Sequence, residues 1–282
     1  ELLVAERPDA VMVVGDVNST LAGALAASKL GVPIVHLEAG LRSGDMSMPE
    51  EINRLVTDQL ADLLLTPTAD AGANLRAEGV GESRIHFVGN IMAESVLRHM
   101  PQIAHRSIDA KYAVHRGEFI LATVHRPENT DIEGNLDQIM AAFGSLDLPV
   151  VFPAHPRTRA LLESSAPRSL GSNVRLVEPM GYLDMLTLQQ MAAVVVTDSG
   201  GIQEEACVLG TPCVTVRRNT ERQLTIALGS NRLVAAERGA IVAGVADALG
   251  SARGWPLPEL WDEGVSDRVA AVLTAAASDF VR

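Results

Sequence analysis

Short runs that are apolar at nearly every position, separated by stretches of helical character, constrain this chain more than any other feature. AVMVVG at 10–15, VPIVHL at 32–37, LLLT at 63–66 and IHFV at 85–88 form one series. FILATV at 119–124, VVFPA at 150–154, VRLV at 174–177, AVVV at 193–196, PCVTV at 212–216 and RLVA at 232–235 form a second. Strands that are apolar throughout must be covered on both faces, and strands joined through helices run parallel. The expected fold class is α/β, with a parallel sheet in each half of the chain. PEEINRLVTDQL at 49–60 reads as a helix with Pro at its first position, and ADAGANLRA at 69–77 as another.

A chain of 282 residues suits two domains better than one core. The polar, irregular segment 107–116 gives the boundary, so the expected division is 1–106, 107–265, and a C-terminal helical segment 266–282 that packs back on the first domain. Lys and Arg number 23 against 35 Asp and Glu, a formal charge of -12, which argues against phosphate-backbone binding to nucleic acid. No apolar run reaches the ~20 residues that span a bilayer, so no membrane partner is expected. Cys207 falls in a helical stretch and Cys213 in a strand; both are expected buried and reduced, as in a cytoplasmic protein.

In parallel sheets of this kind ligands sit beyond the carboxyl ends of the strands, so the residues there are the site candidates. Asp16 and Glu38 follow the first two runs, although an Asp-x-Asn-Ser arrangement also suits helix capping by Asp16. Glu50 and Arg54 are four apart on one helix and share a face, either as a functional pair or as a plain surface ion pair. His125 ends a strand, unlike His99, His105 and His115, which read as surface residues. TDSGGIQEEA at 197–206 reads as strand end, Gly turn and helix start. Ser199, Gly200 and Gly201 would offer backbone N–H groups and a helix dipole to a phosphate, with Glu204 and Glu205 in the first turn placed for a ribose diol. The plainer account is a tight turn followed by acidic residues that favour a helix start.

GDVNST, HLEAGLRSGD, MPEEINR, HRPEN, TDSGGIQEE and RRNTER, in this order and across nearly the whole chain, resemble the non-hydrolysing UDP-N-acetylglucosamine 2-epimerases. The resemblance implies two Rossmann-like domains in a glycosyltransferase-B-like arrangement. It implies interconversion of UDP-GlcNAc and UDP-ManNAc through loss of UDP to a glycal and its re-addition, with no cofactor and no metal. Asp16, Glu38 and Glu50 match the family's catalytic acids, any one of which could take the C-2 proton; Arg54 would orient them, and His125 would stand at the diphosphate. Ser199, Gly200 and Gly201 would hold phosphate, Glu205 the ribose, Met185 the uracil and Arg222 the diphosphate. Arg126 and His155 resemble positions that bind a second substrate molecule as an activator in some members. The family also suggests a cytoplasmic homodimer serving polysaccharide biosynthesis. A hydrolysing epimerase, a glycosyltransferase of the same fold and a UDP-sugar-binding fragment without catalysis are the alternatives.

The chain departs from the family pattern in two places. Gln223 and Leu224 follow Thr220-Glu221-Arg222 where the family usually has Pro. The opening ELLVAERPDA reads as the tail of a helix already under way, whereas the family begins with a strand and a Gly-Thr-Arg-Pro-Glu loop whose Arg contacts the diphosphate. The expectation is a longer native polypeptide, the N-terminal domain here lacking its first strands.

Overall fold

In this computed structural model, which describes residues 1–164 and 170–280, the backbone divides into two units. Glu1–Ser95 and Pro258–Arg282 form the first, and Val96–Leu257 the second. Residues 281 and 282, assigned by sequence to the C-terminal segment, lie outside the described residues. No helix among the described residues is long and apolar enough to cross a membrane.

The first unit holds a parallel sheet of β1 (Val11–Val14), β2 (Ile34–Leu37), β3 (Leu63–Thr66) and β4 (Ile85–Phe87), adjacent in chain order. Every residue of β2 and β3 is buried, as their unbroken apolar character requires. The run at 10–15 reads as a buried strand that has an unpaired edge where the first strands are lacking, and β1 does lie at the sheet edge, where Met12 and Val14 are exposed and only Val13 is buried. Side chains alternate between faces. Ile34 and Leu64 meet Ala24, Ala27 and Leu75 on one side, while Val35, Leu37 and Leu65 meet Val265 and Val269 of the helix Val265–Phe280 on the other. Burying each of those valines contributes about 1.5–3 kcal/mol.

The C-terminal segment is fastened there by polar contacts as well. The Trp261 indole donates to the Pro67 carbonyl at 3.3 Å, and Arg268 Nε to the Val88 carbonyl at 2.7 Å. Gly89, at φ +90°, lies so close to Leu260 that a Cβ would meet its carbonyl oxygen at 2.1 Å; only glycine fits.

The second unit holds six parallel strands: β5 (Ile120–Thr123), β6 (Val150–Pro153), β7 (Val174–Val177), β8 (Val194–Thr197), β9 (Cys213–Val216) and β10 (Asn231–Val234). Across the sheet the order is β10-β9-β8-β5-β6-β7, that of a doubly wound Rossmann sheet. One face packs on Leu136, Ile139, Phe143, Ile241 and Val245; the other on Phe119, Leu188, Met191 and Ala206. The segment 107–116 is not irregular throughout. A short helix spans Asp109–Tyr112, and Ile108 and Tyr112, four apart across it, are buried in this second core together with Val114 just beyond its end. Cys207 and Cys213 are free and buried.

Candidate active site

Strands β5 and β8 are neighbours, but the chain leaves them toward opposite edges of the sheet, β5 leading to β6 and β8 to β9. Such a switch point opens a crevice at the strands' carboxyl ends. The Thr123 and Thr197 hydroxyls, 2.6 Å apart, tie the two ends together. Beyond them lies an open cleft of about 270 Å³ lined by His125, His155, Met180, Met185, Ser199 and Ile202.

Asp198 organises its floor. The carboxylate is fully buried and accepts the backbone N–H groups of His125 and Arg126, each at 2.9 Å, and the Asn129 amide at 3.1 Å. It also stands 3.0 Å from His125 Nδ1. Burial alone would raise the Asp198 carboxyl, but His125, Arg126 and Asn129 outweigh it and hold it below the usual carboxylate range. With Nδ1 occupied by Asp198, His125 has Nε2 left for a ligand, and its side chain is 45 % exposed.

The helix Gly200–Leu209 begins directly after Asp198 and Ser199. The first N–H groups of a helix have no partner within it, so Gly200, Gly201 and Ile202 present donors where the dipole favours an anion. A Cβ on Gly200 would fall 2.5 Å from Glu221 Oε1, which explains glycine there. Glu221 pairs with the buried Arg217 at 3.1 Å, and Arg222 Nη1 with Glu204 at 3.3 Å. The pattern predicts Glu204 and Glu205 in the first turn, yet the helix starts at Gly200, placing both in the second turn, where their side chains are buried. Glu205 accepts from Gln189 Nε2 at 2.6 Å; burial raises its carboxyl above the ordinary value, partly offset by bonds from Gln189 and Tyr182.

In the first unit, Asp16 and Glu38 follow β1 and β2 as expected from parallel strands. The Glu38 carboxylate lies against Gly15, with Oε2 3.3 Å from where a Cβ would be, and Glu38 itself holds φ +71°, an uncommon conformation for a residue with a side chain. Arg54, only 1 % exposed, comes from the helix Pro49–Leu60 and contacts Asp16 and Glu51. The sequence suggests Glu50 as its partner, whereas the pair at 2.8 Å is Glu51, one position along and on the buried side. Glu51 also accepts the N–H groups of Ser43 at 3.0 Å and Gly44 at 2.9 Å, and these with Arg54 overcome burial to lower its carboxyl. Glu50 is half-buried in the first turn of the same helix, where the dipole suits a carboxylate. Asn53 donates to the Asp16 carbonyl at 2.7 Å and to Asn18 at 3.0 Å.

The first unit thus gathers carboxylates around one buried guanidinium, and the second offers a donor-rich cavity with apolar walls. A family model described as UDP-N-acetylglucosamine 2-epimerase matches residues 1–274. The chain belongs to this family.

Among the epimerase relatives, a UDP-N-acetylglucosamine 2-epimerase homolog of Methanococcus maripaludis is 46 % identical over 243 residues, 84 % of this chain and 68 % of its own. A UDP-2,3-diacetamido-2,3-dideoxy-D-glucuronate 2-epimerase of Pseudomonas aeruginosa is also 46 % identical, over 255 residues, 89 % of this chain and 70 % of its own. The crystal structure of the Methanocaldococcus jannaschii UDP-GlcNAc 2-epimerase, in complex with UDP-GlcNAc and UDP, superposes with a TM-score of 0.90 at 38 % identity, covering 97 % of this chain and 78 % of that one. The fold class is α/β and glycosyltransferase-B-like, as in these epimerases.

For this epimerase-family chain, the structure brings His125, His155, Met185 and Ser199 to one cavity and Asp16, Glu38 and Arg54 to one strand-end cluster. Arg126 turns its Nε to the Asp198 carbonyl at 3.1 Å, and Arg222 lies among Glu204 and Glu221. His99, read as a surface residue, is half-buried and stacks edge-on against Tyr182 at 5.5 Å. Asp198 and Glu51 escape the sequence reading. Asp198 carried a usable signal, being an acid at the end of the apolar run AVVV; Glu51 did not, since nothing in MPEEINR tells which glutamate turns inward.

Proposed function

We propose that the chain interconverts UDP-GlcNAc and UDP-ManNAc without hydrolysis. The C-2 proton is removed as the bond from C-1 to the UDP oxygen breaks, giving a glycal. UDP then adds back to C-1 while a proton is delivered to the other face of C-2. The observation that carries this reading is the pairing of Asp16 with Arg54 beside the Glu38 carboxylate, a set of proton-transfer groups held at the carboxyl ends of adjacent parallel strands.

Asp16, Glu38 and Glu50 supply the acids and bases, with Arg54 orienting Asp16. His125 donates to the diphosphate and stabilises charge on departing UDP, a contribution on the order of 3 kcal/mol for one such donor. The Ser199 hydroxyl and the N–H groups of Gly200 and Gly201 cradle phosphate, Glu205 accepts from the ribose, Met185 lies beside uracil and Arg222 stands near the diphosphate. Arg126 and His155 serve a second, activating substrate molecule. The reaction calls for neither nicotinamide nor metal, and the enzyme works as a cytoplasmic homodimer in polysaccharide biosynthesis.

Proton NMR of UDP-GlcNAc in deuterated water with the protein tests the reading. Deuterium at C-2 together with UDP-ManNAc supports it, free ManNAc would place the chain in the hydrolysing branch, and intact unlabelled substrate would refute it. The similarity to the Pseudomonas enzyme supports a second reading, in which the same C-2 chemistry acts on UDP-2,3-diacetamido-2,3-dideoxy-D-glucuronate. Turnover of that sugar in preference to UDP-GlcNAc would decide for it.

A further inference from the structure

His36 and Asp58 are both fully buried, and neither takes part in the proton transfers assigned to Asp16, Glu38 and Glu50. His36 lies on β2 on the same face as Ile34, toward the helix Pro49–Leu60 that carries Asp58. Its Nδ1 is 2.6 Å from Asp58 Oδ1, and its Nε2 is 2.9 Å from the Gly15 carbonyl. A carbonyl only accepts, so Nε2 carries a hydrogen; the ring spans from the carboxylate to the peptide that leads into Asp16. The other Asp58 oxygen accepts the Gly40 N–H at 3.1 Å and pairs with Arg42 at 2.7 Å. Glu38 lies midway between His36 and Gly40, both tied to this one carboxylate, at the strained φ of +71°.

A buried histidine that merely satisfied its own polarity would need one partner for each ring nitrogen, anywhere in the core. Here the partners are the peptide bond before one proposed acid and a side chain that also holds the turn after the other. Resting on the epimerase reading of those acids, we propose that His36 and Asp58 are positioning residues that act as one unit to set the Asp16 and Glu38 carboxylates at the separation proton transfer at C-2 requires. They touch no substrate. Displacement of reacting groups by about 1 Å costs on the order of 100-fold in rate, whereas nucleotide binding in the second unit does not depend on them.

The test measures C-2 proton exchange, KM, UDP affinity and thermal melting for the unaltered protein, His36→Gln, Asp58→Asn and the double variant. Gln keeps an amide donor but cannot reach both partners of the ring; Asn keeps one acceptor and its size. The expected result is a kcat lower by about 10- to 100-fold in each single variant, with KM and the UDP Kd within about twofold of the unaltered protein. The double variant should fall no further than the worse single one. Unchanged kcat in a soluble variant would overturn the proposal, as would losses that multiply in the double, or a loss shared equally by UDP affinity. Should neither variant fold, hydrogen exchange in the unaltered protein decides: the Gly40 amide must be among the slowest to exchange, and rapid exchange overturns the bridge. Absence of C-2 exchange in the unaltered protein refutes the functional reading itself, while exchange that survives both substitutions refutes only the positioning pair.

Discussion

Replacing Asp198 by alanine is expected to destabilise the second unit by about 4 kcal/mol. The carboxylate is the acceptor for two backbone N–H groups, of His125 and Arg126, and for the Asn129 amide, all within 3.1 Å. A buried donor left without a partner costs about 1–3 kcal/mol, so three of them give roughly 3–9 kcal/mol before relaxation. Water reaching the loop through the half-exposed His125 brings the total toward the roughly 3–5 kcal/mol seen when one partner of a buried charged group is removed. Asp198→Asn retains one accepting oxygen and should cost about half as much. Urea unfolding followed by tryptophan fluorescence and circular dichroism, for the unaltered protein and both variants, reads the order directly. The loss should also shrink in acid. The folded-state carboxyl lies below its unfolded value, so its contribution is complete above the ordinary carboxylate range and disappears as pH falls through the lowered value. An alanine variant within 1 kcal/mol of the unaltered protein, or an asparagine variant worse than alanine, would refute Asp198 as the organiser of the loop.

Asp184 should confer a second acid-sensitive increment. Bonds from Lys111, with those from Arg106 and Tyr112, outweigh burial and bring its carboxyl from 3.8 down to about 2, so stability present above pH 3.8 is lost as pH falls toward 2. Because Lys111 is 62 % exposed, Asp184→Asn should cost only about 1 kcal/mol at neutral pH and should flatten that part of the melting profile. Glu205 has the opposite sign: its carboxyl is raised by burial, so its ionisation penalises the fold as pH rises through the raised value. Glu205→Gln should therefore melt no lower than the unaltered protein at pH 8 while weakening UDP binding measured by calorimetry. Gly200→Ala sets a methyl 2.5 Å from Glu221 Oε1 and should cost about 1–3 kcal/mol along with UDP affinity. Equal affinity in calorimetry would remove the helix start from the nucleotide site.

Local signals were sufficient wherever a short segment determined its own conformation. Pro49–Leu60 and Ala69–Ala77 form helices over the residues the pattern predicts, the first with Pro at its opening position and the second with Thr68 accepting the Ala71 N–H. The strand-end acids were legible for the same reason, since an apolar run in a parallel sheet fixes where its carboxyl end falls. What was hidden depends on partners far away in sequence. Asp198 meets residues 69 to 73 positions before it, and His36 meets Asp58 22 positions later, contacts that no periodicity encodes.

The first unit is made from two separate stretches of the polypeptide, with 96–257 interposed. On a ribosome, its sheet emerges early yet waits for Val265 and Val269 to cover Val35, Leu37 and Leu65. At ~5–20 residues per second the wait is roughly ten to forty seconds, during which the second unit has time to fold as a separate body. A nascent chain of this protein therefore carries an incompletely covered apolar sheet face throughout that interval, until the helix Val265–Phe280 arrives.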